Sequence, residues 1–124
     1  MNKVYLLDCT LRDGGYINDW KFSKEGIKDI IRKLSMTGTQ MIEIGFLKGS
    51  EYDPDRTLFP GTDECKEVLV GKNPEVMYVG MLDMSDPIPK EKIKKRDENT
   101  IDGIRVIFKK DKLEEAYDYC NLFT

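Results

Sequence analysis

Residues 8–15 read Asp-Cys-Thr-Leu-Arg-Asp-Gly-Gly and follow the short apolar run Val4–Leu7, so a strand is predicted to end in a glycine turn. Adjacent side chains on a strand point to opposite faces, but a pair just beyond the strand's end escapes that alternation. Arg12 and Asp13 can therefore converge on one site. A carboxylate offers oxygen ligands to a divalent cation, and a guanidinium offers fixed donors to a developing oxyanion. The pair is suited to chemistry on a 2-oxo acid, in which a metal chelates the substrate and a cation stabilises its enolate.

The rest of the chain alternates between strand-like and helix-like segments. Strands are predicted at about residues 4–8, 41–45, 76–82 and 103–108, and helices at about 24–36, after Thr62, near 90–98 and after Asp111. Four consecutive βα units favour a parallel α/β sheet with right-handed crossovers. We expect one domain over residues 1–124, the strand order 1-2-3-4, and helices one, two and four on one side. Periodicity alone leaves half a TIM barrel and a small doubly wound sheet both open.

Two helices carry local start signals. Ser23 is the expected N-cap of helix one, and Gly38 lies just past its end. Asp111 and Glu114 form a capping-box-like pair at the start of helix four. The segment 46–61 is predicted to be a long polar loop with a turn at residues 53–55.

Two motifs carry a resemblance to a known family. The segments Leu7–Gly15 and Met41–Phe46 resemble the first and second strands of the metal-dependent aldolase, lyase and acyltransferase superfamily. That superfamily includes 4-hydroxy-2-oxovalerate aldolase, hydroxymethylglutaryl-CoA lyase and 2-isopropylmalate and homocitrate synthases. The resemblance implies a TIM barrel, and because a complete barrel needs roughly 250 residues, this chain of 124 residues corresponds to about its N-terminal half.

The resemblance also implies roles for individual residues. Asp13 matches the family's metal ligand, Arg12 matches the arginine that stabilises the enolate oxygen, and Glu43 matches the second-strand glutamate that orients groups or relays a proton. Asp8 is expected to support the site or to form a turn. Tyr16 stands where pyruvate-type aldolases carry a histidine acid–base, and a tyrosine hydroxyl can donate a proton but is a poor base. The alternatives are structural: a turn cap for Asp13, and salt bridges from Arg12 to Glu43 or Asp13.

Net charge and cysteine spacing indicate which kinds of partner and which cellular compartment to expect. The net charge is −3, and the basic run at residues 90–96 is read as a solvated helix face, so nucleic acid is not expected. The three cysteines at positions 9, 65 and 120 show no metal or disulfide spacing, and no signal peptide or transmembrane run occurs, which predicts a cytoplasmic protein. Lys48, Arg105 and Lys109 lie near predicted strand ends and either receive an anionic substrate or are solvated.

The best-supported hypothesis is a carbon–carbon lyase or aldolase of the divalent-metal-dependent 2-oxo acid class. The alternatives are a fragment of a 2-isopropylmalate or homocitrate synthase-like acyltransferase, and a non-catalytic half-barrel assembly module. The family's further metal ligands are a His-x-His on a later strand, and this sequence has no histidine. Manganese or magnesium binding is therefore expected to be weak or absent in this chain alone. Expected partners are a 2-oxo acid, a second copy, or a complementing C-terminal half-barrel.

Overall fold

A five-stranded parallel sheet organises the protein, and the computed structural model describes residues 3–123. Its strands are β1 (Leu7–Asp8), β2 (Met41–Leu47), β3 (Leu58–Phe59), β4 (Met77–Asp83) and β5 (Gly103–Ile107). The order is β1-β2-β4-β5, and β3 pairs with β2 outside this path. The mixed α/β class and the parallel sheet agree with the sequence prediction. The expected strand order 1-2-3-4 is not confirmed, because the sequence did not predict β3 and the observed order is β1-β2-β4-β5. A two-residue strand inside a polar loop gives no periodic signal.

The described residues form four α-helices, as many as the sequence predicts, but one expected helix is missing and a short helix at Thr10–Asp13 was not expected. The described α-helices are α1 (Thr10–Asp13), α2 (Lys24–Ser35), α3 (Thr62–Cys65) and α4 (Leu113–Leu122). The helix expected near residues 90–98 is only the 3₁₀ turn Lys90–Lys92. In a helix Lys90 would face Lys94 and Lys92 would face Lys95, and such like-charge pairs are destabilising. Ile93 is the only residue of this segment with a buried apolar side chain. The helix after Thr62 continues beyond Cys65 only as the 3₁₀ turn Lys66–Val68.

The two start signals have different outcomes. The hydroxyl of Ser23 accepts a hydrogen bond from the amide of Gly26 at 3.0 Å, so it caps α2 as predicted. In α4 the N-cap is Lys112 and makes no side-chain capping bond, so the capping box expected from Asp111 and Glu114 does not start the helix. A 3₁₀ turn, Lys110–Lys112, lies where that box was expected and displaces the helix start past Asp111.

The two faces of the sheet are chemically different. On one face, Ile42 and Ile44 of β2 belong to the main hydrophobic core together with Ile27 and Ile31 of α2. On the opposite face lies a smaller cluster of Phe46, Leu58, Met81 and Trp20. The fully buried Glu43 alternates with Ile42 and Ile44 and therefore points to this second face.

A β-bulge in β2 brings Phe46 onto the face of Glu43. Glu43 pairs with Val79 and Phe46 pairs with Met81, and the register shifts between them. Without the bulge, Phe46 would point to the same side as Ile44. Gly45 has φ +153° in this bulge, and a Cβ there would collide with the carbonyl oxygen of Thr57. Only glycine fits both the backbone angle and the space.

We expect Gly45→Ala to lower the free energy of unfolding by about 3 kcal/mol, because the methyl group adds steric overlap to an unfavourable backbone angle. Urea denaturation measures the loss. The matched control is Gly38→Ala, which also has a positive φ of +84° but has nothing within 4 Å of the added methyl group. The control should lose only about 1 kcal/mol, and equal losses in the two variants would show that the close approach of Thr57 is unimportant.

Candidate functional site

Arg12 and Asp13 lie in a single helical turn rather than in the open glycine turn expected from the sequence. The helix α1 follows β1 directly and is continued by the 3₁₀ turn Gly14–Ile17. This turn carries both side chains to the end of the sheet at which the strands finish. In parallel α/β sheets, binding sites form beyond the carboxyl ends of the strands.

Glu43 is the centre of the charged cluster. Its side chain is fully buried, and each of its oxygens accepts a hydrogen bond from a different arginine. The Arg12 Nε donates to Oε1 at 2.7 Å, and the Arg105 Nη1 donates to Oε2 at 2.7 Å. A buried carboxylate without partners is costly, and two charge-assisted bonds offset that cost. The salt bridge from Arg12 to Glu43, which the sequence offers as the structural alternative for Arg12, is therefore present, and Arg105 adds a second bridge.

The sequence does not predict the partner of Arg105. Arg105 was expected near a strand end, either to receive an anionic substrate or to be solvated, whereas it lies in the middle of β5 and pairs with Met81 across the sheet. The sequence signal was present: an arginine between Ile104 and Val106 in an apolar strand needs a carboxylate partner, as does Glu43 between Ile42 and Ile44.

The charge on Arg12 is reinforced by its surroundings. Desolvation lowers the pKa of the guanidinium, but the hydrogen bond and the charge of Glu43 outweigh this effect, so the pKa lies above its usual value. Its Nη1 also donates to the Asp13 carboxylate at 3.2 Å. Both salt bridges considered for Arg12 in the sequence analysis are thus formed.

Asp13 and Asp8 differ in how free their oxygens are. The Asp13 side chain is 70% exposed and uses one oxygen for Arg12. The Asp8 oxygens accept bonds from the amide and the hydroxyl of Thr10 at 3.0 and 3.1 Å, so Asp8 forms a turn, as one of its predicted roles states. Within residues 3–123 no three His, Cys, Asp or Glu side chains are grouped as metal ligands.

Aromatic rings form one wall of the site. The Tyr16 ring, 64% exposed, meets the Trp20 ring edge-on at 4.8 Å, and Trp20 meets Phe46 at 5.9 Å. The Arg12 guanidinium carbon and the Lys48 Nζ lie 6.0 and 5.8 Å from the centre of the Phe46 ring, within cation–π range. Tyr16 is therefore connected to Phe46, and so to Arg12, through its contact with the Trp20 ring.

Cys9 and Asp83 have pKa values that their surroundings shift. Burial raises the pKa of the Cys9 thiol, and the charge of Glu43 raises it further. The Asp83 carboxyl has a pKa below its usual value, mainly because the backbone N–H and the hydroxyl of Ser85 donate to it. The positive charges of Lys48 and Lys109 contribute to the same lowering, so both lysines lie close enough to this end of the sheet to act on Asp83 electrostatically.

Comparison with protein-family models, with curated proteins and with solved structures finds no match for this chain. No helix within residues 3–123 is long and apolar enough to cross a membrane.

We expect Glu43→Gln to lower the free energy of unfolding by about 3 kcal/mol, because an amide cannot balance two partly buried guanidinium groups. Urea denaturation at pH 7 measures the loss. The matched control is Glu25→Gln, whose side chain is 85% exposed and 3.6 Å from Lys28, and which should change stability by less than about 0.5 kcal/mol. A loss for Glu43→Gln no larger than that of the control would show that the two bonds from Arg12 and Arg105 to Glu43 contribute little to stability.

The three thiols should react in a fixed order with a thiol reagent at pH 7, because the thiolate is the reactive form and must be accessible. Cys120 is exposed and should react first, and Cys9 should follow slowly. Cys65 is fully buried, which raises its pKa, and it should react only in urea. Peptide mass spectrometry of timed samples gives the order; labelling of Cys65 together with Cys120 under native conditions would contradict the packing described.

Proposed function

We propose that this chain supplies the enolate-stabilising part of a carbon–carbon lyase or aldolase of the divalent-metal-dependent 2-oxo acid class. The single observation that supports this best is the arrangement of Arg12, which is anchored on the buried Glu43 and adjacent to the exposed Asp13. A guanidinium held in place beforehand stabilises an oxyanion without reorganising during the reaction. The motif resemblance over residues 7–15 and 41–46 points to the same class.

Within this proposal Arg12 and Arg105 act on the anionic substrate, and Glu43 positions them. Both oxygens of Glu43 already accept bonds from guanidinium groups, which favours an orienting role over proton relay. Arg105 is 37% exposed at its side chain and uses Nη1 for Glu43, so its fork is suited to receive a second carboxylate oxygen. Tyr16, at the rim, is proposed as the proton donor, and a phenol serves better as an acid than as a base near neutral pH.

The proposal includes a metal that this chain does not hold alone. Asp13 would provide one carboxylate ligand to manganese or magnesium. The remaining ligands would come from outside residues 3–123, and the resemblance implies a His-x-His. We further propose that the sheet is part of a TIM barrel, since its strands are parallel, α2 packs on one face, and the charged cluster lies on the other. The acyltransferase alternative uses the same residues.

A non-catalytic assembly module is the second candidate, and exposed apolar side chains favour it. Val4 and Leu6 lie beside the edge strand β1 at 75% and 63% exposure, and Ile107 and Phe108 lie at the edge strand β5 and its end. Edge strands present unpaired backbone groups that bind other chains. The proposed partners are a second copy or a complementing C-terminal half-barrel.

The test is pyruvate release from 4-hydroxy-2-oxo acids with added manganese, using this chain alone and mixed with a second chain that carries His-x-His. We expect no turnover by this chain alone, because it brings only one family metal ligand. We expect turnover in a complementing mixture, abolished by Asp13→Asn, which removes the charged ligand, and reduced at least about tenfold by Arg12→Lys, which loses the planar fork.

Exposed residues of α2 provide matched controls. Asp29→Asn and Arg32→Lys make the same chemical changes on α2 and should leave the rate unchanged. Turnover that survives Asp13→Asn or Arg12→Lys would contradict the proposed roles. A stable homodimer that releases no pyruvate in any mixture would favour the assembly module.

A further inference from the structure

The carbonyl groups of α1 depend on side chains from other segments. A helix leaves its last four carbonyls without partners, and α1 has only four residues. The amide of Gly14 donates a hydrogen bond to the carbonyl of Thr10. The Thr57 hydroxyl donates to the carbonyl of Leu11 at 2.6 Å, and the Trp20 indole Nε1 donates to the carbonyl of Arg12 at 2.7 Å. Trp20 therefore binds the backbone of the residue whose side chain binds Glu43.

Trp20 reaches this position through an unfavourable backbone conformation. Both Asp19 and Trp20 have φ of +57°, which non-glycine residues rarely adopt. The side chain of Arg56 holds Asp19 in place, with Nε donating to its carbonyl at 3.0 Å and Nη2 to its carboxylate at 2.8 Å. The amide of Thr57 donates to the carbonyl of Trp20 at 3.0 Å. The loop after β2 thus offsets the strain in the loop after β1.

The indole ring packs directly against Gly15. A Cβ at this position would overlap the ring, so the second glycine of the motif provides the space that Trp20 occupies. The Trp20 ring also packs nearly perpendicular to the Phe46 ring at 5.9 Å, and the Arg12 guanidinium carbon lies 6.0 Å from the centre of the Phe46 ring. Trp20 therefore supports Arg12 at its backbone directly and at its side chain through Phe46.

We propose that Trp20 is a positioning residue that holds Arg12 against Glu43. It does so by donating a hydrogen bond to the Arg12 carbonyl and by packing against Phe46. A single helical turn is unstable by itself, so loss of the indole bond frees the backbone that carries the guanidinium. Leu11 is different, because its side chain is fully buried and packing fixes it without the Thr57 bond. This inference does not depend on the proposed function, since it concerns the geometry of Arg12 in the free protein.

Hydrogen exchange of the Arg12 Nε–H, followed by ¹⁵N NMR, tests the proposal. In the unaltered protein this proton should exchange at least about tenfold more slowly than that of the exposed Arg32. Trp20→Phe keeps a ring against Phe46 but has no N–H, and it should accelerate the Arg12 exchange about tenfold. The matched control is Thr57→Val, which removes one hydrogen bond to the same helix and should leave the Arg12 exchange within about threefold of the original.

A purely structural role predicts a different result. Trp20→Phe would then lower the unfolding temperature without changing the Arg12 exchange relative to β4 amides, and that result would overturn the proposal. Equal acceleration in Thr57→Val would also overturn it, because the effect would belong to α1 in general. If Trp20→Phe does not fold, the indole N–H of the unaltered protein is measured instead. Protection of about tenfold or more supports the bond to Arg12, and exchange at the rate of free indole overturns it.

Discussion

A carboxylate buried completely inside a small sheet is the constraint on which the rest of this structure depends. Glu43 cannot be left without partners in the interior of β2, and it satisfies each oxygen with a different arginine. One arginine must come from the turn after β1 and the other from β5. The strand register places Arg105 on the face of Glu43. Phe46, which shares that face, pairs with Met81 of β4, and Met81 pairs with Arg105 of β5. The parallel sheet is thus arranged around a charge as well as around an apolar core.

The loops after β1 and β2 are joined so that the first arginine stays in place. Asp55, Arg56 and Thr57 donate to or accept from residues 19–24, and Thr57 also reaches α1. The bulge at Gly45 lets β2 approach Thr57 and turns Phe46 towards Arg12. Backbone strain at Trp20 and the glycine-dependent bulge at Gly45 therefore lie around the same side chain, and strained backbone is associated with functional sites.

The sequence predicted the elements whose signals are local and strong. The cap at Ser23 and the isoleucine stripe of α2 each depend on residues close together in the chain, and the parallel arrangement follows from alternating elements. It did not predict β3 or the bulge, because both depend on backbone contacts between Phe46–Leu47 and residues 57–59. The helix predicted near residues 90–98 is absent, because repulsion between lysines at helical spacing outweighed a weak apolar periodicity. Arg12 and Glu43 were identified as candidates from a motif, whereas Trp20 carried no motif signal. Arg105 was considered as a cation that receives an anionic substrate or is solvated, without Glu43 as its partner.

Two arginines donate to one buried carboxylate beside an exposed aspartate. The proposed aldolase-type function needs the arginines held in this way, since an oxyanion is stabilised best by donors already in place. The most direct measurement is a double-mutant cycle in urea with Glu43→Gln, Arg105→Met and the combined variant. The account predicts a coupling free energy of about 2 kcal/mol, because each single change leaves the partner uncompensated. Additive losses, with coupling below about 0.5 kcal/mol, would show that Arg105 and Glu43 act independently and would contradict the account.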